Sequence, residues 1–170
     1  IHPNFNFLLN GDFRYGKNFQ EVIDYYLKMV PDAKSVRSHF LVQSTQILDA
    51  FVERGLKYDL NLYIPRNSNI VLNPFQHWKK DLTRLPHFWE DDLHILYDDQ
   101  FDVNYFLDAK GLKIFDFHPI HIFLNTDKIS RYNKSRPFLQ KYSELINFIN
   151  HEKDGISFFY KELILNIRNR

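Results

Sequence analysis

Between Asn18 and His118 the chain alternates helical and extended patterns, which limits it to folds in which helices pack on a largely parallel sheet or barrel. Asn18 followed three residues later by Glu21 is a capping box, and Val22, Ile23, Tyr26, Leu27 and Val30 fall on one face of a helix ending before Pro31. A second helix is expected from Ser44 to Arg54, with Ile47, Leu48, Phe51 and Val52 inward and Gly55 just past its end. The segment between them, Ser35 to Ser38, has room only for a strand. Tyr58 to Tyr63 alternates polar and apolar residues as a strand does, and a Pro- and Asn-rich connection follows from Pro65 to Pro74. Leu82 to Trp89 reads as extended, Asp102 to Asp108 as a short helix, and Lys113 to Phe117 as a strand stopped at His118-Pro119. In such α/β folds functional side chains gather at the carboxyl ends of strands, where His2, Arg37 to His39 and His118 all fall.

At 170 residues the chain is one ordinary domain in size. A net charge of +1 provides no general attraction to a polyanion, so no nucleic-acid partner is expected. Aromatics at 17 % supply ample apolar bulk and exclude disorder. With no cysteine, a metal would be held by histidine and carboxylate alone. No apolar run approaches the roughly 20 residues of a spanning helix, and the expected location is cytoplasmic. Beyond Asn125 the character changes: residues 126–170 carry 9 Lys/Arg against 5 Asp/Glu. Two helices fit this tail. One follows Ser135-Arg136-Pro137 with Phe138, Tyr142, Leu145 and Ile149 on a stripe; the other starts near Ile156 with Phe159, Leu163 and Ile167 inward. Their basic faces suit either solvent or contact with an acidic partner or membrane surface.

Four polar-aromatic clusters hold the residues capable of chemistry. His2-Pro3-Asn4 and Arg37-Ser38-His39 each end a strand pattern, and their histidines read either as hydrogen-bonded structural groups or as ligands. Arg37 suits either a surface ion pair or a bidentate clamp on a carboxylate. Glu90-Asp91-Asp92 reads as a solvated loop or as a cleft carboxylate that binds metal or orients a histidine. Trp89 beside it fills a core or, if exposed, stacks on a sugar ring. His118 ends an apolar strand and is expected to be oriented by a carboxylate that keeps it protonated near neutral pH. His77, His87, His94, His121 and His151 read as solvent-facing.

In this order the clusters resemble the polysaccharide deacetylase family with the NodB-type fold, and within it a subgroup associated with surface-polysaccharide and O-antigen biosynthesis. The residues that carry the resemblance are His2 to Phe5, Asn10-Gly11-Asp12 with Arg14 to Asn18, Ser35 to His39, Phe88 to Asp92, and Phe115 to Thr126. The resemblance implies an α/β fold, a distorted parallel β/α barrel over residues 1–126, with residues 127–170 as a helical extension packed on it. It also implies hydrolysis of sugar N-acetyl groups with a divalent metal, zinc in most members. Residue by residue, His2 matches the histidine that opens the metal motif, Arg37 the arginine that aligns the catalytic base, Asp91 or Asp92 the acid that tunes the last histidine, and His118 that histidine, the general acid. Trp89 and Asn4 are the expected substrate contacts.

Two departures alter that expectation. The family places a second metal histidine where Asn6 stands, so the metal site is changed or His39 substitutes from the next strand. The family's first motif, an aspartate pair providing the base and a metal ligand, precedes the first histidine motif and is not in these 170 residues. The barrel is therefore expected to be incomplete at its N-terminal side and its catalysis impaired. Its open parallel edge would be covered by a missing N-terminal segment or by a second copy. The rival expectation is a non-catalytic carbohydrate-binding or assembly module on the same fold.

Overall fold

The computed structural model describes residues 1–97, 101–152 and 154–168. Contacts divide the chain into two compact units, Ile1–Phe88 and Trp89–Arg170.

The first unit contains helices α1 (Asn6–Leu9), α2 (Phe19–Met29) and α3 (Thr45–Glu53), and strands β1 (Ser35–Val36), β2 (Tyr58–Asp59), β3 (Phe75–Gln76) and β4 (Thr83–Arg84). The sheet order is β1-β2-β4-β3, with β1, β2 and β4 parallel and β3 antiparallel on β4. Residues 1–3 run beside β1 with the bond pattern of a parallel ladder: Ile1 nitrogen donates to Ser35 O, Arg37 N–H to Ile1 O, and His39 N–H to Pro3 O, at 2.7, 3.1 and 2.9 Å. The expected capping signals hold. Asn18 Oδ1 accepts the Glu21 N–H at 2.8 Å, and Ser44 Oγ accepts that of Ile47 at 3.2 Å. The two helices bury Val22, Ile23, Ile47, Leu48 and Phe51 against Phe5, Val36, Leu56 and Leu82. Each such side chain contributes about 1.5–3 kcal/mol by leaving water. Val30, expected on the inward stripe, is instead 52 % exposed, because the helix has already ended at Met29.

The strand at Tyr58 is shorter than the alternating pattern, and its faces are reversed. An alternating strand ordinarily turns its apolar face inward, yet Asp59 and Asn61 are fully buried while Tyr58 is 45 % exposed. Hydrogen bonding explains the inversion: these two polar side chains belong to a closed network, and buried polar groups are tolerated when paired.

The second unit pairs β5 (Trp89–Glu90) in parallel with β6 (Phe115–Asp116) and adds α4 (Asp91–Leu96), α5 (Val103–Leu107), α6 (Pro119–Leu124), α7 (Ile129–Ser135), α8 (Tyr142–Leu145) and α9 (Ile156–Arg168). The acidic triplet, read as a solvated loop or as a cleft carboxylate, ends β5 at Glu90 and opens α4, where Asp91 and Asp92 occupy the first turn and complement the helix dipole. Pro119 starts α6 at a position that needs no N–H, and Asn125 ends it in the left-handed region at φ 47°. The single helix expected after Pro137 is broken into 3-10 turns at Arg136–Phe138 and Ile146–Phe148 around the four-residue α8. Lys141, at φ −125° and ψ 84°, interrupts the helical path, and Tyr142 of the expected stripe is 70 % exposed.

Residues 127–168 belong to the same compact unit as Trp89 onward, so the division at residue 88 lies well before the family-based boundary at residue 126. Asn125 ties them together. Its amide donates to Asn150 O and Glu152 O, and its Oδ1 accepts the N–H groups of Ser157 and Phe158 at the start of α9, at 3.0 to 3.3 Å. Gly155 passes so close that an added Cβ would lie 2.4 Å from Asn125 Oδ1.

The mixed α/β class with a parallel sheet is as expected, but the barrel is not formed: among the described residues the strands make one open four-stranded sheet and one two-stranded sheet. No helix among the described residues is long and apolar enough to cross a membrane.

Candidate functional site

At the carboxyl end of the first unit's parallel strands, the ladder between residues 1–3 and β1 places His2 beside His39. His2 Nε2 and His39 Nδ1 are 3.3 Å apart, with the rings edge to face. Two nitrogens bound at about 2.0–2.1 Å to one tetrahedral zinc lie roughly 3.3 Å apart, so the pair fits two positions of such an ion. Asn6, where the family has its second histidine, opens α1, and its N–H donates to Asn4 Oδ1 at 3.1 Å. Asn4 therefore braces the turn that follows His2. Arg37 is half-buried directly after β1.

His39 begins a 3-10 turn, Phe40 in that turn is 78 % exposed, and Phe40 and Leu41 hold φ of 55° and 52°. A left-handed backbone costs a non-glycine residue roughly 1–2 kcal/mol. Such strain persists only where neighbouring contacts over-determine it.

Those contacts come from four residues that the sequence reading left unassigned. Ser38 N–H donates to Asn61 Oδ1 at 2.6 Å; Asn61 Nδ2 donates to Asp59 Oδ1 at 2.6 Å; Arg84 Nε donates to Asp59 Oδ2 at 2.7 Å; Arg84 also donates to Gln43 Oε1, and Gln43 Nε2 donates to Asn61 O at 2.7 Å. The ring closes on itself. The available sequence signal was the i, i+2 spacing of Asp59 and Asn61 at the end of a strand pattern, which puts both on one face.

In the second unit β5 and β6 lie side by side with Glu90 opposite Asp116, which brings Asp91, directly after β5, within reach of His118, two residues after β6. Asp91, fully buried, accepts at both oxygens from His118: the backbone N–H at 2.7 Å and ring Nδ1–H at 2.6 Å. That hydrogen bond raises the His118 pKa to about 8, against the opposing effect of burial. Burial raises the carboxyl of Asp92 and lowers the imidazole of His121, whose Nδ1 lies 3.1 Å from Thr126 Oγ1. At neutral pH His118 is thus a cation on an aspartate and His121 is neutral. Donor atoms of Asp91, His118 and His121 lie within 4.8 Å of one another, close enough for a cation. Both Asp91 oxygens are already engaged by His118, however, and the arrangement is that of an oriented acid–imidazole pair.

A pKa raised from 6.5 to about 8 in the folded state means that the pair's stabilising contribution is full below pH 6.5 and is lost as pH rises through 8. With His118 32 % exposed, solvent screening reduces the contribution to about 1 kcal/mol. Thermal melts from pH 6 to 9.5 are expected to show this loss, and Asp91→Asn to flatten it. A wild-type profile no steeper than that of the variant would contradict the pairing.

The family model described as "WbmS-like: Polysaccharide deacetylase" matches residues 1–136. The chain belongs to the WbmS-like polysaccharide deacetylase family. A solved structure from Bordetella bronchiseptica, described as a polysaccharide deacetylase involved in O-antigen biosynthesis, is 42 % identical and superposes with a TM-score of 0.88 over 98 % of this chain and 68 % of that one. No curated protein matches.

For a member of this WbmS-like deacetylase family, the remaining candidate residues fall as follows. Trp89, expected as a sugar platform, is 3 % exposed: one face stacks on Phe159 at 4.9 Å, and its Nε1–H donates to His94 Nδ1 at 3.3 Å. The indole is enclosed by an aromatic core and presents no face to a sugar. His77, His87, His94 and His121, read as solvent-facing, are all buried; His94 packs on Trp89, Phe106 and Phe159, and His121 on Tyr132. His151 is exposed as expected.

Proposed function

We propose that this chain takes part in metal-dependent hydrolysis of N-acetyl groups on sugars of a surface polysaccharide, in a process such as the O-antigen biosynthesis named for its Bordetella relative. The single observation that carries the reading is the Asp91–His118 pair. With Nδ1 held by Asp91, His118 keeps its Nε2 proton for delivery, and a pKa near 8 keeps that proton in place at neutral pH and allows it to leave to a departing amine. Asp91 orients the ring and stabilises its charged form. Asp92, made less acidic by burial, adds a second acid beside it.

His2 and His39 are the residues that would hold a divalent metal, zinc by preference for an all-nitrogen pair in a chain without cysteine. The ion, when bound, supplies Lewis acidity toward the amide carbonyl and toward water. Arg37 is assigned to aligning the base and Asn4 to shaping the turn that meets substrate. The non-catalytic binding reading draws on one observation, Asn6 in place of a second histidine at the start of α1.

Zinc titration with a chelating dye, together with acetate release from N-acetylated glycans, separates the two readings. The expected result is zinc-dependent acetate release, with His2→Ala and His39→Ala each weakening zinc by more than about tenfold. Glycan binding without acetate release, and zinc affinity indifferent to both substitutions, would establish the binding module instead.

A further inference from the structure

We propose that Asn61 is the positioning residue that fixes His39 against His2, and that Asp59, Arg84 and Gln43 hold Asn61 in place for that task. The inference rests on the reading of His2 and His39 as metal-holding residues.

The segment carrying His39 is clamped at both ends by one residue. At its start, Ser38 N–H donates to the side chain of Asn61; at its end, Gln43 donates to the backbone carbonyl of Asn61. The turn held between these two points contains Phe40 and Leu41, both in the left-handed region, and Phe40 is largely exposed. Phe40 lays its ring against that of its neighbour His39 at 4.4 Å, a local contact that does not by itself hold the backbone in the left-handed region. Relaxing either residue toward φ below zero would re-aim the chain that leaves His39.

Asn61 is itself oriented. An amide side chain can present either its oxygen or its nitrogen to a neighbour. Asp59 Oδ1 accepts from Asn61 Nδ2 and from the Asn61 N–H, which commits the Asn61 oxygen to Ser38. Asp59 is fully buried, and a buried carboxylate requires a paired cation; Arg84, whose side chain is 13 % exposed, supplies it. Arg84 then returns to Gln43, so the cation that neutralises Asp59 also closes the far end of the clamp. A network serving stability alone would not need to straddle a strained, exposed turn. This one touches the chain immediately before and after it.

The test uses the full chain in wild-type form and as Asn61→Ala, Gln43→Ala and His39→Ala, with zinc affinity measured by dye competition and histidine ring signals by NMR on metal-free protein. Asn61→Ala is expected to shift the His39 signal, leave that of His118 unchanged, and weaken zinc by about 10–100-fold, the range for groups that orient a ligand. Gln43→Ala, at an exposed position that should not endanger folding, is expected to move both readouts in the same direction by less. Should Asn61→Ala fail to fold, Gln43→Ala decides. A folded clamp variant with an unshifted His39 signal and unaltered zinc affinity overturns the inference. If His39→Ala leaves zinc affinity unchanged while Asn61→Ala still shifts the His39 signal, the metal reading fails and the positioning of His39 stands.

Discussion

Replacing His118 by alanine is expected to reduce acetate release by roughly 10²–10⁴-fold, the usual worth of a positioned general acid, with little change in apparent glycan affinity. The reasoning is geometric. His118 is fixed by two bonds to one buried carboxylate, one from its backbone N–H and one from ring Nδ1, and only the second ring nitrogen remains to meet a leaving group. The same geometry predicts a pH signature. The acid acts only while protonated, so activity should fall as pH rises through about 8. In Asp91→Asn the hydrogen bond that raises the pKa loses its charge, and the decline should move to lower pH by about a unit. Acetate release followed from pH 6 to 9.5 for the two proteins is the measurement. A basic limb at the same pH in both would show that another group is being titrated.

Trp89→Ala is expected to destabilise the second unit by about 3–5 kcal/mol, the cost of removing a large aromatic from a core that cannot close around the gap. Its ring meets Phe106, Phe115, Phe117 and Phe159 at centroid distances of 4.8 to 6.2 Å. Trp89→Phe should cost less, retaining the stack on Phe159 while losing the donor to His94. Urea unfolding followed by near-ultraviolet circular dichroism reads both. If Trp89→Ala unfolded at the wild-type urea concentration but lost glycan binding, the indole would be a sugar contact and not a core residue.

What the sequence made legible follows from the range of the interactions concerned. The helices beginning after Asn18 and Ser44 are written in capping residues and apolar stripes a few positions apart, and both form. A carboxylate partner for His118 was inferable because a cation at an apolar strand end needs one, although nothing local separated Asp91 from Asp92. Adjacency of β5 and β6 separates them. Trp89 was ambiguous for the same reason: whether an indole faces sugar or core depends on Phe159, 70 positions away in sequence, beyond any periodicity. The clamp around Asn61 was hidden by the general habit of alternating strands, since its polar face is the buried one. Sheet closure was likewise a property of long-range pairing, and family resemblance overstated it.

The single amide of Asn125 bonds four backbone groups between Asn150 and Phe158, and Gly155 leaves no room for a methyl group beside it. The family model ends at residue 136, yet Phe159, which covers one face of Trp89, lies beyond that limit. The family model therefore stops short of a residue that the packing of Trp89 requires. A protein cut at residue 136 would expose an indole and strand a buried amide, so the tail is under the same packing constraint as the strand that precedes the Asp91–His118 pair. Substitutions in this tail must therefore keep Gly155 and an aromatic at Phe159 if the core around Trp89 is to hold.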